Sequence, residues 1–423
     1  MPSFIEAAWV WLKIGCLGFG GPAGQIALMH RILVDEKKWV EEQRYLHALN
    51  FCMLLPGPEA QKLATYVGWL LHGVRGGLVA GILFVLPGAL VMLAVSLLYV
   101  LGSGIPAVDG ALFGIKAAVL VIVVEALLRI GRRALKSRLL IGIAAAAFIG
   151  IFFLDLPFPL IVACAAAIGY STTHQHAATA VPGLPGRWGA FCSALAIGML
   201  LWGAPIVLAW LFLGGDHVMS TIGAFFSKLA VVSFGGAYAL LAYMAQQAVE
   251  AHHWMSAPEM VDGLGLAETL PGPLIKVTQF VGFLAAYRNA EPFSAVTAGV
   301  LGAALTTWVT FVPPMMLIFA GAPFVESLRA NQRLSGALAA VTAAVVGVIL
   351  NLTIWFALHV LFSRVVEMRY GPLRAYVPDL ATLDWKAGML AVIAAMLMLR
   401  MHRGLVETVA VMAALGILLR FIL

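Results

Sequence analysis

Thirteen apolar runs joined by short polar connections constrain this chain more than any other feature of it. They lie near 5–33, 45–72, 76–102, 108–128, 139–154, 157–173, 188–213, 219–248, 263–287, 294–320, 334–362, 386–399 and 404–421. A helix needs about 20 apolar residues to cross a bilayer, and most of these runs reach that length. They are solidly apolar rather than alternating, which excludes a β-barrel. With 62% apolar and 11% charged residues, a chain of 423 residues has no soluble globule in which to hide its apolar side chains. The sequence therefore predicts an all-α polytopic membrane protein embedded in a lipid bilayer. The short runs 139–154 and 157–173 are expected to form a shallow hairpin.

In such a chain the net charge of +6 marks cytoplasmic loops, not nucleic-acid binding. The start, Met1-Pro-Ser-Phe-Ile-Glu6, lacks a basic segment and a cleavage site, so the first run reads as a retained helix rather than a signal peptide. Cys16, Cys52, Cys164 and Cys192 are scattered and carry no C-x-x-C spacing; they read as small hydrophobes, not as disulfide or metal ligands.

The chain repeats itself. Phe19-Gly20-Gly21 returns as Phe234-Gly235-Gly236, 215 positions on (19 to 234). Lys13 and Lys228, Trp39 and Trp254, and Leu55-Pro56-Gly57-Pro58 and Leu270-Pro271-Gly272-Pro273 keep that same offset of 215 (13 to 228, 39 to 254, 55 to 270). Val67-Gly68 then meets Val281-Gly282 at 214, and Gly110-Ala111-Leu112 meets Gly336-Ala337-Leu338 at 226 (67 to 281, 110 to 336). Two homologous halves follow, 1–187 and 188–423, with the second repeat core starting near 219. The basic cluster Arg129, Arg132, Arg133, Lys136 and Arg138 marks its loop as cytoplasmic. If 45–72 crosses once, the N-terminus is cytoplasmic and an odd number of runs separates the two repeat starts, which gives inverted-topology repeats. Arg400, His402 and Arg403 agree with that orientation; Arg364, Arg369 and Arg374 do not.

Transporters built from inverted repeats bind substrate near the midplane, where helices are broken. The two Pro-Gly-Pro elements, Pro56-Gly57-Pro58 and Pro271-Gly272-Pro273, are the expected breaks, since proline removes a backbone donor and glycine admits unusual dihedrals. The N–H groups just after each break carry the positive end of a helix dipole, which favours an anion. The plain alternative is a kink. Polar residues attend both breaks: Glu59, Gln61 and Lys62 after the first, Lys276, Thr278 and Gln279 after the second, and Glu268 before it. Lys62 and Lys276 read either as anion ligands or as snorkelling cations, and Glu59 as a proton carrier or as the partner of Lys62. Lys13 and Lys228, each six residues before Phe-Gly-Gly, read as a symmetry-related pair of cations for a dianion, or as independent surface lysines. Gly20, Gly21, Gly235 and Gly236 allow close helix approach or a local break beside that site. Glu125 and Arg129 form an ordinary helical pair, and Asn351 stands at the matching place in the other half. His174, His176, His252 and His253 read as loop residues without a third metal ligand. No catalytic constellation, metal set or cofactor motif is legible, so the reading is of a transporter, not an enzyme.

Phe19-Gly-Gly-Pro-Ala-Gly24, Leu55-Pro-Gly-Pro-Glu-Ala-Gln61 and Tyr66-Val-Gly-Trp69, with the second set at Phe234 and Leu270, resemble the chromate ion transporter family in its long two-domain form. The resemblance covers about 5–421 and implies export of chromate across a bacterial inner membrane, chromate resistance, and sulfate as the isosteric competitor. A homodimer is an open option, for no stretch specifies an interface. The rival readings are a proton- or ion-coupled importer of sulfate or a related anion, in which Glu59 or Glu268 is indispensable, and a membrane enzyme or flippase acting on a phospho-lipid.

Overall fold

A computed structural model describes residues 2–19, 21–102, 104–173, 188–233, 237–322 and 332–422. Gly20, His174, His176, Phe234, Gly235 and Gly236 lie outside the described residues. Helices account for most of it. Six helices among the described residues are long and apolar enough to cross a membrane, and three shorter apolar helices accompany them. The chain is an all-α polytopic membrane protein.

The first compact unit takes residues 1–96, 170–237 and 270–338, and the second takes 97–169, 238–269 and 339–423. Each unit draws on both sequence halves.

In the first unit, α1 (Phe4–Leu17) starts on a Ser3 side chain that accepts from the Glu6 N–H, and ends at Gly18. The helices α2 (Gly21–His30), α3 (Glu42–Leu54) and α4 (Glu59–Leu101) follow. Pro56-Gly57-Pro58 separates α3 from α4, and Leu55, extended at φ −100° and ψ 149°, closes α3 just ahead of Pro56. Through this break the chain folds back. Rings of Phe51 and Tyr66 lie 5.3 Å apart, whereas a helix continuing straight would hold them about 22 Å apart at 1.5 Å per residue. The run 45–72 thus doubles back at its break, as a re-entrant element would, and the single straight crossing assumed in the orientation argument loses its basis.

α4 itself reverses at His72 and Gly73, where φ is −140° and +63°. Close approach of small residues closes this hairpin: a Cβ on Gly68 would meet the Gly76 carbonyl and Ala80. The same device recurs between α12 (Val277–Arg288) and α13 (Ala295–Gly321), where Gly282 meets Gly302 and Thr306. These contacts link positions 214 apart in one arm (68 to 282) and 226 apart in the other (76 to 302, 80 to 306), the spacings at which the sequence repeats. α8 (Trp188–Leu213) and α9 (Val218–Val231) complete the unit.

The second unit holds α5 (Pro106–Ala134), the short pair α6 (Arg138–Phe152) and α7 (Phe158–Thr172), α10 (Ala237–Gln246), α11 (Ala257–Thr269), α14 (Gln332–Leu361), α15 (Trp385–Ala395) and α16 (Leu405–Ile422). Glycines let α5 and α16 touch backbone to backbone: a Cβ on Gly110 would come within 2.9 Å of the Gly416 carbonyl oxygen. Ala117, Val121, Leu390, Ala394, Val409 and Met412 fill the adjoining core.

Between the apolar runs 334–362 and 386–399 the chain forms a hairpin of β1 (Val365–Tyr370) and β2 (Leu373–Pro378), paired antiparallel from Val365↔Pro378 to Tyr370↔Leu373. Its two-residue turn is Gly371-Pro372, with Gly371 at φ +63°, as a type II′ turn requires. Arg374, 3% exposed, anchors the hairpin: it donates to the Ile151 carbonyl at 2.9 Å and pairs with Asp155 at 2.9 Å and Glu250 at 3.3 Å. The Tyr376 hydroxyl donates to Glu250 at 2.9 Å. Burial raises the Glu250 carboxyl above the ordinary range, against the lowering effects of that hydrogen bond and of Arg374.

Candidate functional site

Both Pro-Gly-Pro breaks open onto one small cavity in the first unit, lined by Pro22, Gln25, Gly57, Pro58, Glu59, Ala60, Ser233, Pro273, Leu274 and Ile275. The breaks are held there by a reciprocal exchange. The Gly57 N–H donates to the Ser233 carbonyl at 2.9 Å, and the Gly272 N–H donates to the Gly18 carbonyl at 2.9 Å. Donors and acceptors each stand 215 apart (57 to 272, 18 to 233), so each break is fastened to the residue just before Phe-Gly-Gly in the other half.

Only glycine suits either centre. Gly57 sits at φ +104° and Gly272 at φ +95°. A Cβ on Gly57 would strike the Pro314 ring, with Pro314 Cβ 2.8 Å away; a Cβ on Gly272 would press on Gly88 at 3.1 Å. Pro314 and Gly88 are 226 apart (88 to 314), so this packing repeats too.

The first turn of a helix leaves its N–H groups without intrahelical partners. Here the first turn of α4, from Glu59, and the 3₁₀ turn Leu274–Lys276 that opens α12 supply such groups at the cavity wall. Two positive helix ends meeting at one cavity favour negative charge there. Gln25 adds to it. It is 1% exposed, its Nε2 donates to the Gly18 carbonyl at 3.1 Å, and its Oε1 is buried without a hydrogen-bond partner.

Lys62 and Lys276 are each 1% exposed, and each turns back onto its own break. The Lys62 Nζ donates to the Leu55 carbonyl, and the Lys276 Nζ donates to the Leu270 carbonyl at 2.9 Å and to Gly272 at 3.2 Å. Leu55 and Leu270 are equivalent positions, so each lysine ties its break shut while keeping a buried cation beside it. Thr278 serves the same turn, donating to the Ile275 carbonyl at 2.8 Å. Glu59 lies at the cavity wall, where its carboxylate opposes an anion while ionised.

Gln61 and Gln279 go elsewhere. Both line a larger, mostly apolar cavity of about 1000 Å³ bounded by α4, α8, α12 and α13, with Trp69, Trp308 and Met315 on its walls. Their amide nitrogens donate to the Phe311 and Ala89 carbonyls at 3.1 and 2.9 Å, which leaves both Oε1 atoms as buried acceptors without partners. That orientation offers an oxygen, not an N–H, to whatever enters.

Lys13 and Lys228 are exposed on α1 and α9 and line neither cavity. Gly21, at φ +68°, opens α2 with no atom near its Cβ direction. Glu268 is buried in α11, in the second unit. The small cavity therefore gathers Pro58, Gly57, Glu59 and Pro273, and leaves out the lysines at 13 and 228. Sequence reasoning missed Gln25 and Ser233. The available signals were a polar residue closing the Phe19–Gly24 motif and the 215 offset that pairs Ser233 with Gly18.

A family model described as chromate transporter matches residues 5–170 and 220–419. The chain belongs to the chromate transporter family. Its curated relatives include a chromate transport protein of Pseudomonas aeruginosa, 33% identical over 85% of this chain and 82% of the relative. A chromate transport protein of Cupriavidus metallidurans is 26% identical over 82% of this chain and 81% of its own length. An uncharacterized transporter of Methanocaldococcus jannaschii is 25% identical over 86% of each. No solved structure matches the chain significantly. Members of the chromate transporter family are transporters, not enzymes, and the six long apolar helices fit a multi-pass protein of that family.

Proposed function

We propose that the protein is a secondary transporter that carries chromate, a tetrahedral dianion, out of the cytoplasm across the bacterial inner membrane, and so confers chromate resistance. The anion binds where the two breaks meet. The observation that carries this reading is the reciprocal fastening of Gly57 to Ser233 and of Gly272 to Gly18 around a cavity walled by two helix starts. Lys62 and Lys276 supply the buried positive charge that a dianion requires.

At about 20 Å³ the cavity has room for roughly one water, which needs ~10–15 Å³ by the same measure, and not for four oxygens around a central atom. Loading therefore requires the breaks to part, and the Lys62 and Lys276 contacts with their own carbonyls are the ones to loosen. Their ammonium groups would then exchange a carbonyl for the anion. An interior-negative potential drives outward movement by about 2.3 kcal/mol per charge per 100 mV, and a dianion gains about twice that. Export on this account needs no nucleotide.

Tracer chromate movement in vesicles of known orientation, under an imposed potential and with excess sulfate, tests the reading. Potential-dependent outward flux competed by sulfate supports it. Accumulation that collapses with a protonophore instead supports import of sulfate or a related anion, the reading favoured by Glu59 at the cavity wall.

A further inference from the structure

The second unit contains a buried carboxylate that the anion site does not use. Asp262 of α11 is 3% exposed. Its Oδ2 accepts the Tyr99 hydroxyl at 2.9 Å and pairs with the Lys116 ammonium at 3.2 Å, while its Oδ1 is buried and has no hydrogen-bond partner. One turn along α11, Ile115 and Val119 of α5 pack against Gly265, so the surroundings are apolar. The ionisable groups acting on Asp262 are Lys116 from α5, Tyr99 from α4 and Glu259 on α11 itself.

We propose that Asp262 is a proton-binding site, with Lys116 and Tyr99 as the groups that set when the proton binds. Both available donors converge on Oδ2, so Oδ1 carries charge in an apolar wall with nothing to answer it, which is costly. A proton from water adds there to form an O–H bond, and the Tyr99 donation to Oδ2 is kept. A metal ion does not fit: hard cations ask for six or more oxygens, and the ammonium at 3.2 Å repels a second full charge.

Protonation removes the counter-charge of Lys116, whose side chain is 25% exposed against 4% for Asp262. The cluster passes from neutral to singly positive, and the freed cation favours an anion. Proton uptake at Asp262 would thus supply the proton-binding step of a proton-linked transport cycle. This consequence rests on the transport reading; the proton site does not.

The test is infrared spectroscopy of the full chain in lipid, titrated through pH. Wild type is expected to show a protonated carboxyl band that fades as pH rises and is missing in Asp262→Asn. Lys116→Met should move the fading at least about one unit higher, since a nearby opposite charge lowers a carboxyl by roughly 1–3 units. Tyr99→Phe should move it upward by less, and this milder change decides the matter if Asp262→Asn fails to fold. An unchanged band in Asp262→Asn, or fading that neither Lys116→Met nor Tyr99→Phe moves, overturns the proposal and leaves a structural ion pair. In vesicles, stimulation of chromate flux by a pH gradient should vanish in Asp262→Asn, and stimulation that persists overturns the coupling. An Asp262-dependent band in a protein that moves no chromate keeps the proton site and sinks the transport reading instead.

Discussion

The Gly57 N–H reaches the Ser233 carbonyl oxygen at 2.9 Å across 176 positions of sequence (57 to 233), and Gly272 makes the matching bond to Gly18. A backbone donor freed by a proline-flanked break is satisfied by the opposite half, so neither break can be formed by its own half alone.

Substitution at the break centres should therefore cost more than at an otherwise similar glycine. Gly57→Ala meets both a left-handed conformation, about 1–2 kcal/mol, and the Pro314 ring, about 1–3 kcal/mol of overpacking. Gly21→Ala, at φ +68° with nothing near its Cβ, should cost only the first. Thermal unfolding of the two variants in detergent compares them directly; equal losses would place Gly57 in an open, unconstrained turn.

The four lysines should separate into two classes. Lys276→Met removes a buried charged donor from two carbonyls, worth roughly 1.5–3 kcal/mol, and should weaken chromate binding along with stability. Lys62→Met should behave alike. Lys13→Ala and Lys228→Ala remove charges that line neither cavity and should leave affinity within about twofold. Calorimetric titration with chromate measures all four, and a large loss in Lys13→Ala would return that lysine to the site.

Gln25→Leu keeps most of the volume but strips the amide from the cavity wall. The Gly18 carbonyl keeps its bond from Gly272, so the fold should survive, while loss of the Nε2 hydrogen not spent on Gly18 should lower anion affinity about tenfold or more. Unchanged affinity would exclude Gln25 from the substrate's surroundings.

The re-entrant reading of 45–72 makes a topological prediction. Glu41→Cys and Arg75→Cys, each made in a chain with its four native cysteines replaced, should react with an impermeant thiol reagent from the same side of the membrane. Labelling from opposite sides would restore a single crossing. The same approach applied in the second half decides whether the repeats are inverted.

Against the β hairpin, Glu250 gives a pH signature. Its carboxyl is raised by burial in the folded state, so folding favours the protonated form. The associated stability is present below the ordinary carboxylate range and is lost as pH rises through the raised value. Glu250→Gln removes this dependence, so its stability relative to wild type should improve steadily as pH is raised from acid toward neutral. Parallel melting curves across that range would remove Glu250 as the source.

Much of this was written locally in the chain. Apolar run lengths demanded lipid, proline and glycine announced the two breaks, and rare tripeptides at 215 announced their relationship. Even the hairpin at 365–378 has its signal in the alternation of Val366, Met368 and Tyr370 ahead of Gly371-Pro372, a pattern shorter and more polar than the apolar runs beside it. Local pattern reports which face of a segment is buried and where the backbone ladder fails.

What it does not report is the partner. Lys62 and Lys13 look alike in sequence, each a lone cation near an apolar run, yet one is sealed against the Leu55 carbonyl and the other is exposed. Asp262 and Lys116 lie 146 positions apart (116 to 262), and no spacing rule joins them. Such pairings are settled by which small residues allow backbones to touch and by which orphaned N–H, carbonyl or carboxylate can reach an answering group. Those are properties of the packed chain, because in an apolar interior a polar atom must find its partner in three dimensions or go without one.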